Sequence, residues 1–355
     1  MTLLSQGVVV IVSLLSFMAH AEVDPYNTYQ WDGKTNQWFE WWYYKVLDPQ
    51  THHSFYFCYG VVNPSTTESV SPHARAFVSF GDFQQNLILQ TEVPLETFRA
   101  STTTPFIQVG PHIATDQALS ASFLDSGHHV QWLLSIKKKM GWNAMGWGLS
   151  ERGLFNIYWH PAQMDASFQG ILDIDGKHYI FKDADGYQDH NWGASFPKWW
   201  FWIASNAFQE NSESSFVGGG GHAQTPLGFP LPTAILLGLH HEGQLYAFRS
   251  SEPEYIFDWD MKLGQWDISA FNTSYKLKLH AQADPSQMMD LPFLTPEGKT
   301  FHDYETLNGN LHIELYKRKF LSTSWEKIAN LSTPNSAGLE LGLEEKVPAT
   351  FELKK

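Results

Sequence analysis

Sulfur chemistry is almost absent from this chain. Its 355 residues include one cysteine, Cys58, so no intrachain disulfide can form. The apolar run around it, "SFYFCYGVV", reads as a strand with a buried, inert thiol. Charge is scarce as well, at 17% of residues, and it leans acidic: 37 Asp and Glu against 23 Lys and Arg, a formal net charge of −14. That balance argues against nucleic acid as a partner, because phosphate contacts need clustered Lys and Arg. The two dense basic runs, "KKK" at 137–139 and "KRK" at 317–319, read as solvated strand ends. With 43% hydrophobic and 15% aromatic residues, the composition also argues against disorder.

Metal and phosphate motifs are missing too. The histidine pairs at 52–53, 128–129 and 240–241 are adjacent residues, which point to opposite faces of a strand. No His-x-His or His-Glu-x-x-His occurs, and we expect no metal site. The glycine run at 218–221 lacks the Lys-Ser/Thr ending of a phosphate loop; a bulge, a turn or close backbone approach is the better reading. Long helical periodicity is scarce.

What remains is a series of short strand-like runs separated by turn signals such as "DPQT", "DIDGK", "HHEGQ" and "TPEGK". This pattern predicts an all-β sandwich or barrel protein. A polar, then Gly-rich stretch at 209–228 separates two strand-rich halves. The predicted organisation is therefore a signal segment at 1–21, one β domain at 22–208 and a second at 209–355. The signal is read from the apolar run "GVVVIVSLLSFM" and the small residues of "AHA" at 19–21, with cleavage after Ala21 and export to the periplasm or the exterior.

Two aromatic motifs carry the chemistry. In "WFEWWYYK" the strand period puts Trp38, Glu40, Trp42 and Tyr44 on one face and Phe39, Trp41, Tyr43 and Lys45 on the other. In "QDHNWGASFPKWWFWIASNAF" (188–208), Tyr187, Asp189 and Asn191 share a face, with Gln188, His190 and Trp192 opposite. Further on, Trp200, Trp202 and Asn206 fall on one face and Trp199, Phe201 and Ile203 on the other. Strands apolar on both faces are buried on both sides. Polar groups within them cost free energy unless paired, and a carboxyl stripped of water by surrounding rings favours its protonated form. These groups satisfy either a core or a site.

The same motifs resemble the tocopherol cyclase family. That family's early motif is similar to "WFEWWYYKVLDPQTHHSFYFCYGVVNP", with Trp41 where glycine is usual. Its second motif is similar to "HNWGASFPKWWFWIASNAF", including Asn191, Trp192, Gly193, Phe196, Pro197, Trp200, Trp202 and Asn206. The later "LGLHHEGQLYAF", "WDISAFNTSYKLKLHA" and "SAGLELG" extend the likeness over nearly the whole mature chain. The "DHNWG" form is closer to carotenoid hydratase and lipocalin-like relatives, with His190 where the cyclases typically carry lysine. The resemblance implies two lipocalin-like β-barrels meeting face to face.

It also implies an activity. Tocopherol cyclases close a chromanol ring from a prenylated hydroquinone: a proton adds to a trisubstituted alkene and the phenol oxygen captures the tertiary cation. Such a site needs an acid poised near the working pH, rings to stabilise positive charge and an apolar slot. It requires no redox cofactor and no metal. The expectation is an isomerase (intramolecular lyase) acting on a prenylated hydroquinone or another isoprenoid. Asp189 or Glu40 is expected as proton donor, and His190 as its tuner or relay. Tyr187, Asn191 and Asn206 would orient the headgroup, and Trp38, Trp42, Tyr44, Trp192, Trp200 and Trp202 would line the pocket. Peripheral membrane association stays open. Two alternatives stand beside this reading: hydration of an isoprenoid double bond, and a secreted lipid-binding protein without chemistry.

Overall fold

The computed structural model describes residues 23–65, 71–146, 153–225, 227–320 and 322–353; the expected signal segment lies outside them. Eleven strands form the first sheet: β1 (Phe39–Leu47), β2 (Ser54–Val62), β3 (Arg75–Asp82), β4 (Leu87–Val93), β5 (Phe98–Ala100), β6 (Phe106–Val109), β7 (His112–Thr115), β8 (Ala118–Asp125), β9 (His128–Met140), β10 (Ile157–Ile174) and β11 (Lys177–Gly193). The second sheet follows with β12 (Trp199–Ser205), β13 (Ser215–Gly221), β14 (Ala234–His241), β15 (Gln244–Arg249), β16 (Ile256–Lys262), β17 (Gln265–Phe271), β18 (Tyr275–Gln282), β19 (Met289–Leu294), β20 (Thr300–Arg318), β21 (Trp325–Leu343) and β22 (Glu352–Leu353). The all-β expectation holds.

Tight turns make these hairpins. Asp175 and Gly176, in the predicted "DIDGK" turn, have φ of 52° and 84°, the left-handed pair a two-residue hairpin turn needs. Glu242 and Gly243 repeat this between β14 and β15, with φ of 50° and 75°. Neighbouring strands pair antiparallel, in the order β4-β3-β2-β1-β11-β10-β9-β8-β7-β6-β5 in the first sheet and β15-β14-β13-β12-β21-β20-β18-β17-β16-β22 in the second, with β19 pairing β20. The chain passes between sheets after Gly193 and before Trp199. The Gly-rich part of 209–228 is β13, held between β12 and β14.

Each sheet curls around its own core, as expected for lipocalin-like barrels. In the first, Trp132 on β9 reaches across the interior, packs on Phe57 and Phe80 and donates to Tyr59 Oη at 2.9 Å; Tyr59 Oη in turn donates to the carbonyl of Ser120 on β8. In the second, Tyr246 on β15 meets Tyr275 on β18 edge to face at 5.1 Å. The outer faces of β1, β2 and β3 pack against β12, β13, β14 and β20 to form a third apolar cluster, which includes Phe39, Trp41, Tyr56, Trp200, Trp202 and Phe301. Strands at this junction are covered on both faces, and so β2 and β12 are buried at every position.

Candidate functional site in the inter-barrel cavity

A cavity of about 340 Å³ opens within this junction. The sequence dictates which side chains reach it, because residues two apart on a strand share a face. β1 pairs with β11 without a register shift from Phe39↔Gly193 to Val46↔Gly186. The regular pleat therefore sends Trp41 and Tyr43 from β1, and Asp189 and Asn191 from β11, into the cavity. β12 contributes Trp200 and Trp202, with Trp159, Tyr56, Cys58, Leu236, Leu291 and Phe293 completing an apolar wall. The rings brace one another: Trp41 lies parallel to Phe293 at 5.7 Å, and Trp200 stacks on Phe301 at 4.3 Å.

Asp189 is the polar centre of the first-barrel wall. Its Oδ2 accepts from Trp159 Nε1 and from Tyr187 Oη, both at 2.9 Å, and its Oδ1 accepts from Asn191 Nδ2 at 2.9 Å. Trp202 Nε1 supports Tyr187 Oη at 3.1 Å. Burial pushes the carboxyl up to about 7, against the pull of the Trp159 and Tyr187 donors and the charge of His190 behind the strand. The result is an acid that both holds and releases a proton near neutrality. The surrounding donors are already aimed at the carboxylate that forms when the proton leaves.

The other half of the expected set stands on the opposite face. Trp42 and Tyr44 lie in the core of the first barrel, and Trp192 packs with Tyr26 and Tyr158, with Trp38 against them. Glu40 and His190 are fully buried there. Glu40 Oε1 accepts from Gln30 N at 2.7 Å and from His190 Nε2 at 2.9 Å, while Oε2 accepts from Trp38 Nε1 at 2.9 Å. His190 Nδ1 faces the carbonyl of Tyr26 at 2.7 Å, and Trp42 stacks on its ring at 4.4 Å. Each imidazole nitrogen therefore has a partner. This pair anchors the N-terminal segment over the barrel, one strand thickness from the cavity. Asn206 does not line the cavity either; its Nδ2 donates to Asp165 Oδ1 at 2.8 Å and to the carbonyl of Gly186 at 2.9 Å, tying β12 to the first sheet.

Three cavity acids were not foreseen. Asp303 and Glu305 project from β20, and Glu340, the cross-strand partner of Glu305, from β21. One carboxylate oxygen of each lies within 4.8 Å of the others, a spacing that a cation or shared protons could bridge. Tyr43 Oη donates to Glu305 Oε1 at 2.5 Å, and Trp200 Nε1 donates to Glu340. Burial pushes Glu340 up to about 7, and it drives Asp303 and Glu305 well above the carboxylate range with help from the charge of Glu340. The signal in the sequence was the one that drew attention to Glu40: acids alternating within apolar strands, here "HDYETL" and "LELGL".

The comparisons bear on this geometry. The family model described as tocopherol cyclase-like matches residues 108–343, which include Asp189 and all three second-barrel acids. The chain belongs to the tocopherol cyclase-like family. It is 26% identical over 377 residues to "Tocopherol cyclase, chloroplastic" of Zea mays, covering 90% of this chain and 77% of the maize protein. It is 24% identical over 375 residues to "Probable tocopherol cyclase, chloroplastic" of Oryza sativa subsp. japonica, covering 90% and 78%. Among solved structures, an AttH protein of Nitrosomonas europaea superposes with a TM-score of 0.52 at 12% identity, covering 91% of this chain and 99% of that one. That likeness concerns the fold alone.

Proposed function

We propose that this family member is an isomerase that closes the chromanol ring of a prenylated hydroquinone by acid catalysis. The observation that carries the reading is Asp189: a buried acid held near neutrality in an aromatic-lined cavity between two barrels. In this reaction the Asp189 proton adds to the less substituted alkene carbon. The tertiary cation forms among Trp41, Trp159, Trp200 and Trp202, whose π faces stabilise it by roughly 0.5–2 kcal/mol per contact. The phenol oxygen then closes the ring. Asn191 and Tyr187 keep the carboxylate oriented, and the apolar wall takes the prenyl chain.

Purified protein incubated with a prenylated hydroquinone should yield a product of unchanged mass with the ultraviolet spectrum of a chromanol. A product heavier by one water would instead make the enzyme a hydratase, and binding without conversion would make it a carrier. Asp189→Asn keeps the shape and removes the proton, so turnover should fall by about 10²-fold or more, the usual size of a general-acid contribution, with little change in KM. We also propose export after cleavage near Ala21; intact mass of protein from its native host retaining Met1 would refute it.

A further inference from the structure

Ring closure consumes one proton and releases another, and the cavity has two acidic walls. Asp303 and Glu305 share a face of β20, and Glu340 stands opposite Glu305 on β21. Like charges placed opposite one another on a sheet repel. Among the described residues no lysine, arginine or histidine lines the cavity to offset them. Three carboxyls in this position share protons. Tyr43 engages Glu305 and Trp200 engages Glu340, while one Asp303 oxygen lies within 4.8 Å of an oxygen on each of the other two acids. One atom is left over: Asp303 Oδ1 is buried with no hydrogen-bond partner, on a side chain 1% exposed that lines the cavity.

We propose that Asp303, sharing protons with Glu340 and Glu305, is the base that takes the phenolic proton, on the wall contributed by the second barrel. The inference rests on the ring-closure reading above. In balance, the Asp189 O–H bond breaks and a C–H bond forms as the alkene π bond opens. The phenol oxygen then bonds to the cationic carbon, and its O–H proton passes to Asp303 Oδ1. Substrate and product are isomers, and between turnovers Asp189 regains a proton and the cluster loses one. The direction follows from geometry: both Asp189 oxygens already accept from Trp159, Tyr187 and Asn191, whereas Asp303 Oδ1 is the cavity carboxylate oxygen with no partner and so the one open to an incoming proton. The other titratable groups lining the cavity are Tyr43 on β1, Tyr56 and Cys58 on β2 and Tyr158 on β10. Burial pushes all four above their ordinary values, with the charge of Glu305 adding to it at Tyr43, Tyr56 and Cys58, so none of them offers an ionised base near neutrality.

The test is the pH profile of kcat/KM for the full chain with a prenylated hydroquinone. The unmodified protein should give a bell, falling at high pH as Asp189 ionises and at low pH as the cluster is protonated. Asp303→Asn should abolish the low-pH fall and lower kcat by about 10²-fold, whereas Asp189→Asn should abolish the high-pH fall. Thermal melting checks that each variant is folded. Glu340→Gln, which removes one of the facing acids, should melt higher than the parent yet also slow turnover. An Asp303→Asn profile that keeps both limbs and the parental kcat overturns the assignment of the base. A parent protein that converts no prenylated hydroquinone overturns the ring-closure reading itself. Turnover lost on chelation with EDTA and restored by a divalent cation would overturn the proton-sharing cluster in favour of a metal site.

Discussion

Asp189 and His190 are neighbours with opposite occupations, and the separation is geometric. The pleat aims one side chain between the barrels and the other into the first barrel. There His190 and Glu40 form a fully buried pair beneath Trp42. A buried pair is costly to break because the remaining charge has no solvent to turn to. Glu40→Gln breaks a fully buried network in which this carboxylate also holds Gln30 and Trp38, so it should destabilise the fold by about 3 kcal/mol or more. Its effect on turnover should be small beside that of Asp189→Asn. Chemical denaturation with parallel rate measurements checks this; a Glu40→Gln variant that is stable but inactive would move the acid to β1.

At the scale of the element, the cavity walls depend on strands that yield room to large rings. A Cβ added at Gly338 on β21 would stand 2.4 Å from the Trp202 ring, and one at Gly219 on β13 would stand 2.8 Å from that of Trp159. Both distances are shorter than real side-chain contacts allow, so the indoles must move. Those indoles support Asp189, Trp159 directly and Trp202 through Tyr187. Gly338→Ala should therefore lower the melting temperature, since overpacking a core costs about 1–3 kcal/mol. It should also weaken binding of a prenylated ligand more than binding of the headgroup alone. Calorimetric titration with both ligands tests this, and equal losses would contradict a prenyl slot lined by Trp202.

For the molecule as a whole, the four cavity carboxyls set a pH dependence of stability. Unfolded, they titrate near ordinary carboxyl values; folded, burial raises Asp189 and Glu340 to about 7 and the other two well above their ordinary range. Over that window the native state binds more protons than the unfolded chain, so stability declines as pH rises. The contribution is fully present below about pH 4 and is lost as pH climbs through about 7. Melting temperatures measured across that span should fall on the alkaline side, and Glu340→Gln should flatten the fall. A parental slope retained in this variant would show that the decline originates elsewhere.

Much of this was legible in the chain. Local alternation and turn residues determined the strands, and with them the division of Trp38, Glu40, Trp42 and Tyr44 from Trp41 and Tyr43, and of Asp189 from His190. The two aromatic motifs carried the family resemblance that the family match then bore out. Alternation cannot say which face of a doubly buried strand meets a cavity, because both faces are apolar. Only the packing of one barrel on the other assigned Trp41, Tyr43 and Asp189 to the cavity and left Glu40, His190 and Trp42 in the first barrel's interior. Packing also brought Asp303, Glu305 and Glu340 to the same cavity as a residue more than a hundred positions earlier in the chain. Such proximity is a property of two sheets curling and docking through long-range contacts, to which the period of any single strand is blind.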